Sequence, residues 1–519
     1  MEHTFRCDSK TALVQTTKGK VKGYELDGVS IFKGITYAKA ERFHAPEPVE
    51  PWEGVFDATS FGYICPQVFS KPCGELMVPH RFWPMDEDCL NLNIWTPACD
   101  NKARPVMVWF HGGGFDVGAS MDHLAYEGEN MCREGQVVVV SVNHRLNILG
   151  YMDLSSFGEE YKNSVNAGIA DLVAALEWIR DNISAFGGDP NNVILFGQSG
   201  GGGKINVLLQ TPAADGLYAK AFNMSGILDK RSSERTTPCN DEMIRQMLAH
   251  FGSDDIKTLE KVSYTELWEA FLKVSGRKTG QAGYSGWHPI PNGYYLGDAL
   301  IYGNRPETAK IPMLISTVFG EFGTFFDYMD VDEDITPEQE LELVKATIGE
   351  KSYEALMPLF HEAYPERKPL NLLSMDFRFR VPTIQYIKKR AEGNDQTYSF
   401  VFNQDFSING GKTPWHCIDI PFVFHNTSFT PVTQEKGITE RLEKQIFESV
   451  MAFARTGNPN NPEVPEWPAC TPDKEYTMIF DENTRLRINH DHKILPALEE
   501  RMKDLFEEMM DKSRDKIQH

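Results

Sequence analysis

Short apolar runs rich in β-branched residues recur along the chain at 106–110, 137–142, 193–196, 312–317 and 398–402, most of them bounded by Gly, Pro or Asn. Runs this short and this uniformly apolar predict strands buried on both faces, the habit of a parallel sheet. Between them the period changes. Over 170–182, Leu172, Leu176 and Ile179 return at helical spacing, so strands and helices alternate. The pattern predicts an α/β fold with a large, mostly parallel central sheet flanked by helices. Two stretches, about 230–282 and 330–366, are polar, helix-prone and poor in strand signal, and read as helical insertions that either wall a pocket or pair on the surface. The second has a defined start, with Thr336 as cap, Pro337 at the first helical position and Gln339 closing a capping box ahead of Leu341 and Leu343. No repeat, low-complexity tract or Pro/Ser-rich linker divides the chain, so 1–519 reads as one domain.

Composition narrows the partners. The chain is 41% hydrophobic without an apolar run of roughly 18 residues, so no membrane insertion is expected. A net charge of -22 repels phosphate backbones and argues against nucleic acid. Nine scattered cysteines, odd in number and without a Cys-x-x-Cys pair, point to neither a metal site nor a dense disulfide framework. The first 22 residues are polar and lack the apolar core of a secretion signal, which gives a cytoplasmic location as the expectation.

The chemistry concentrates at two places. Gly197-Gln198-Ser199-Gly200-Gly201 follows directly on the buried run 193–196, so a Gly-x-Ser-x-Gly turn stands where a strand hands over to a helix. A serine hydroxyl is a weak nucleophile until a sharp turn exposes it, a base takes its proton and donors await the oxyanion. His111-Gly112-Gly113-Gly114-Phe115 follows the run 106–110 in the same way. Successive glycines let adjacent N–H groups converge on one point, which makes Gly113, Gly114 and Gly200 the candidate oxyanion donors. A phosphate loop is the competing reading of such a glycine run. Its spacing is missing, since Gly202-Gly203-Lys204 is followed by Ile205 rather than Ser or Thr.

Taken in order, these motifs resemble the type B carboxylesterase family, the group that includes cholinesterases and bacterial aryl-ester hydrolases, and the resemblance spans nearly the whole length. Gly34-Ile35-Thr36-Tyr37-Ala38 with Arg42-Phe43, Pro46 and Trp52 is similar to the family's opening block. Glu87-Asp88-Cys89-Leu90-Asn91-Leu92-Asn93-Ile94 resembles its second signature, and Phe186-Gly187-Gly188-Asp189-Pro190 running into the serine motif resembles the first. Ala454-Arg455-Thr456-Gly457-Asn458-Pro459 with Trp467-Pro468 is similar to the closing block.

The resemblance implies an α/β-hydrolase fold and a carboxylic-ester hydrolase working through an acyl-enzyme, with no metal or organic cofactor and a neutral small-molecule ester of small to medium acyl group as its partner. It implies a Ser-Glu-His triad in chain order. Glu321 in Glu321-Phe322-Gly323 is the candidate acid, with Asp327 and Asp330 as alternatives, and His416 in Trp415-His416-Cys417-Ile418-Asp419 is the candidate base, with His425 as the competitor. Ser225 and Asp376 stand where relatives place a buried polar pair behind the acid. Phe115 and Trp287 stand at substrate-pocket positions, the latter in a stretch similar to the acyl-pocket wall.

The chain departs from the family at Gly200, where Ala is usual, at Gln198 for Glu, at Thr36 for Pro, and in a shorter segment between Ala38 and Arg42. Cys65 and Cys89 stand where the family often closes a disulfide loop, and both are expected as free thiols. Trp83 lies closer to Cys89 than the family's choline-binding Trp, which predicts neutral esters over choline esters. An amidase or peptidase using the same triad remains open, and a non-catalytic binding protein of the same fold is disfavoured because all three triad positions are filled.

Overall fold

Val108 of the strand Arg104–Phe110 lies between Val140 and Leu195, its partners on Val138–Val142 and Gly188–Gln198, and all three side chains are excluded from water. Both ladders are parallel. Strands covered on both faces have no polar side to display, which is why these runs lack the alternation of a half-exposed strand. The computed structural model describes residues 3–68, 77–227, 238–277, 286–325, 335–408 and 411–502. The chain divides into two compact units, one drawn from Met1–Pro72, His80–Phe222 and Arg231–Thr308, the other from Cys73–Pro79, Asn223–Lys230 and Ala309–His519.

In the first unit the parallel strands continue on one side into an antiparallel series. Val138–Val142 pairs with Asn91–Thr96, which pairs with Val29–Thr36, then Tyr24–Leu26 and Phe5–Arg6. Helix Ala167–Asn182 turns Leu172, Leu176 and Ile179 inward as their spacing predicts. The described part of 230–282 carries helices Asp241–His250, Thr258–Lys261 and Tyr264–Ser275, while 228–237 and 278–285 lie outside the described residues.

The second unit has its own α/β arrangement. Met313–Val318, Thr397–Phe402 and Tyr476–Phe480 run parallel and Arg485–Ile488 closes the edge antiparallel. Helix Pro337–Ile348 begins with both bonds of the capping box, Gln339 N–H to Thr336 Oγ1 at 3.3 Å and Thr336 N–H to Gln339 Oε1 at 2.8 Å. Helix Glu350–Ala363 buries Leu356 and Phe360 in the same cluster as Val344. Just before strand Tyr476–Phe480 begins, Glu475 is bonded together with Asp491 to the buried Arg380 guanidinium, at 2.8 Å from Nη1 and 2.7 Å from Nε respectively. Among the described residues no helix is long and apolar enough to cross a membrane.

Candidate active site

Ser199 stands at the junction of strand Gly188–Gln198 and helix Gly200–Leu209 with φ 57° and ψ -123°. For a residue with a Cβ this region costs on the order of 1–3 kcal/mol, and a cost of that size persists only where the surroundings impose it. The surroundings here are glycines. A Cβ on Gly201 would lie 1.9 Å from the Phe110 carbonyl oxygen, and one on Gly197 would lie 2.7 Å from the same atom, so only a bare backbone lets the turn close against the neighbouring strand. Helix Gly200–Leu209 starts immediately after the serine, and its first N–H groups carry the positive end of the helix dipole.

The glycine run leaving Arg104–Phe110 folds back onto this turn. Gly113 and Gly114 are both left-handed, φ 83° and 63°, and the Gly114 backbone comes so near Gly200 that a Cβ there would meet its O, N and Cα at 2.3, 2.4 and 2.5 Å. The three candidate donors therefore sit together, and the departure to Gly at 200 has a physical reason: the loop occupies the space a methyl group would need. The loop is anchored at its start by a residue that sequence reading set aside. Lys204, fully buried on the helix after Ser199, donates from Nζ to the His111 carbonyl at 2.9 Å. Burial pushes its amine down to about 7 against the opposing pull of Asp122 and Asp116. His111 in turn donates from Nδ1 to the Gly112 carbonyl at 2.8 Å, which fixes its tautomer, and burial holds both it and the adjacent His144 well below the usual imidazole range.

In the second unit, Glu321 follows strand Met313–Val318 in a left-handed conformation, φ 39°, and is fully buried. Its Oε1 accepts from Ser225 Oγ at 2.6 Å and from the Val318 N–H at 2.8 Å, while Oε2 accepts from His416 Nδ1. The His416 N–H also donates to the Glu321 carbonyl at 3.0 Å. The imidazole packs against Phe322 and Phe379, with ring centroids 4.4 and 5.2 Å away. With Nδ1 carrying the proton toward the carboxylate, Nε2 is left as the basic nitrogen.

Asp376 does not bond Glu321. Its carboxylate accepts the N–H groups of Arg378, Phe379 and Arg380 at 3.2, 2.9 and 3.0 Å, and so holds Phe379 against the imidazole. Burial first, then the nearby Glu321 charge, pushes Asp376 up to about 7. Asp419, which the sequence offered only as the acidic residue after the base, is fully buried too, and among the described residues neither of its carboxyl oxygens has a partner in another residue. His425, the alternative base, is elsewhere, 3.6 Å from Glu443 with its ring on Phe447. The alternative acids Asp327 and Asp330 lie outside the described residues. In the first unit Phe115 contacts Tyr151, Trp287 is buried against Phe271, and Cys65 and Cys89 are buried free thiols, the Cys65 Sγ accepting from the Leu146 N–H at 3.2 Å.

The profile of the Carboxylesterase family matches residues 10–495. The chain is 34% identical to the para-nitrobenzyl esterase of Bacillus subtilis (strain 168), over 95% of its own length and 98% of that protein. It is 30% identical to the phenmedipham hydrolase of Pseudarthrobacter oxydans, over 90% of this chain and 94% of the other. A solved esterase from Clostridium hathewayi, described as able to hydrolyse aliphatic aromatic polyesters, superposes with a TM-score of 0.90 at 45% identity, covering 96% of this chain and all of that one. The fold is that of the α/β-hydrolases, and the chain belongs to the carboxylesterase family of ester hydrolases.

Proposed function

We propose that Ser199 is the nucleophile, His416 the general base and Glu321 the acid that orients it, in a cofactor-independent hydrolysis of neutral carboxylic esters. The reading rests above all on His416, whose Nδ1 bond to a buried carboxylate leaves Nε2 able to take the Ser199 proton as the hydroxyl attacks the ester carbonyl. The N–H groups of Gly113, Gly114 and Gly200 then receive the oxyanion. The imidazolium formed is stabilised by Glu321, which Ser225 and the Val318 N–H keep in place. His416 returns the proton to the leaving alcohol, the ester C–O bond breaks, and an acyl-Ser199 remains. Water activated by the same nitrogen attacks that acyl group and frees the acid. Relatives named for para-nitrobenzyl esters and described as acting on aliphatic aromatic polyesters support uncharged esters as the substrate class, and Phe115 and Trp287 are assigned to the pocket on the family resemblance.

The test compares four variants with a chromogenic ester. Ser199→Ala and His416→Ala each lose about 10⁴-fold or more in kcat, because triad members act as a unit. Glu321→Gln loses orders of magnitude, whereas His425→Ala stays within about tenfold. Comparable loss at His425 and His416, or turnover surviving in Ser199→Ala, contradicts the assignment.

A further inference from the structure

We propose that His80, Asp122 and His123 form a binding site for one divalent transition-metal ion of the zinc, cobalt or nickel type. His80 and His123 oppose each other across an isolated antiparallel bridge, with ring centroids 4.2 Å apart. Directly opposed residues on paired strands put their side chains on one face. The Arg81 N–H donates to the Asp122 carbonyl at 2.6 Å and fixes the two segments in register. The Asp122 carboxylate is aimed by its own turn, accepting the Ala119 N–H at 3.1 Å and the His123 N–H at 2.9 Å. A ligating carboxylate needs this kind of outer support, and its oxygens keep lone pairs for an ion. The His123 ring is held from its other side by Tyr126, stacked at 4.4 Å and 11°.

The ligand atoms of the three residues all lie within 4.8 Å of one another. Donors at ~2.0–2.1 Å from a tetrahedral ion stand about 3.3 Å apart, so the site closes by small side-chain rotations. Two imidazoles and one carboxylate with the remaining positions left to water suit borderline ions; calcium and magnesium prefer all-oxygen shells. The neighbouring Arg81 guanidinium does not contribute an unbalanced positive charge, because it is paired with Glu127 at 2.7 Å. The other such cluster among the described residues, Glu475, Asp491 and His492, differs in this respect. Its carboxylates already bind the Arg380 guanidinium, so it holds a cation of its own.

The test uses full-length chain without a histidine tag, freed of metal by chelation and titrated with Co²⁺ by calorimetry and visible absorption. The wild-type protein is expected to take up one Co²⁺ per chain with a ligand-field band that Zn²⁺ abolishes. His80→Ala and His123→Ala, and Asp122→Asn as the shape-conserving variant, each weaken binding by about tenfold or more, while His492→Ala does not. Circular dichroism and ester turnover of the metal-free variants confirm that they fold. Absence of a stoichiometric band, binding that survives in both histidine variants, or binding that fails in His492→Ala overturns the site.

Discussion

Asp419 is an ionisable group buried where ionisation is costly. Burial, reinforced by the Glu321 charge, pushes its carboxyl up to about 8, whereas an aspartate in the unfolded chain titrates near ~3.9. Between these values the folded chain holds a proton that the unfolded chain has lost, so this group's favourable contribution falls as pH rises from about 4 to about 8. Asp419→Asn keeps the shape and removes the titration. Its melting temperature should therefore lie above that of the wild type by a margin that is small near pH 5 and larger near pH 8. Thermal unfolding across that range checks this, and parallel profiles for the two proteins contradict it. Asp419 also marks a limit of sequence reading, because how deeply a carboxyl is buried, and whether anything bonds it, is decided by the packing around it. Lys204 is the same case. In the chain it is merely the end of a glycine run without phosphate-loop spacing, and only the fold shows its amine on the His111 carbonyl.

At the scale of elements, the serine turn and the glycine loop were legible because each is written in consecutive residues after an apolar strand. Glu321 and His416 are 95 positions apart, and only the family resemblance links them before the fold does. The antiparallel strands near the N-terminus left little trace, being two to three residues long at Phe5–Arg6 and Tyr24–Leu26 and without a continuous apolar run. Some family motifs are structural: Arg42 of the opening block bonds Glu87 of the second signature, with Nε to Oε2 at 2.9 Å. The glycine loop is held from two directions, by contact with Gly200 and by the Lys204 bond. Gly200→Ala drives a methyl group into Gly114 backbone, and Lys204→Met removes the anchor while keeping the bulk. Both are expected to lower kcat, by about tenfold or more and toward the ~10²–10³-fold cost of a lost donor, with KM nearly unchanged. Steady-state kinetics decide this; a rise in KM at constant kcat would assign the loop to binding instead.

At the scale of the molecule, the net charge of -22 favours approach of cations, yet recognition of a quaternary ammonium needs an open aromatic face. Trp83 is half-buried against Phe61 beside Ile64, Ala119 and Met121, and the Phe61 ring already has Lys33 Nζ 4.1 Å from its centre. A neutral ester is accordingly expected to show a higher kcat/KM than the acylcholine of the same acid and similar alcohol size, and the reverse order would refute this preference. The central claim joins Ser199 to His416 as nucleophile and base. Its most direct measurement is active-site phosphonylation followed by peptide mass mapping, in the wild type and in His416→Ala. The account predicts one phosphonyl group per chain, on Ser199 alone, with labelling slowed by orders of magnitude in His416→Ala. Labelling of another serine, or of Ser199 at an undiminished rate without His416, would contradict it.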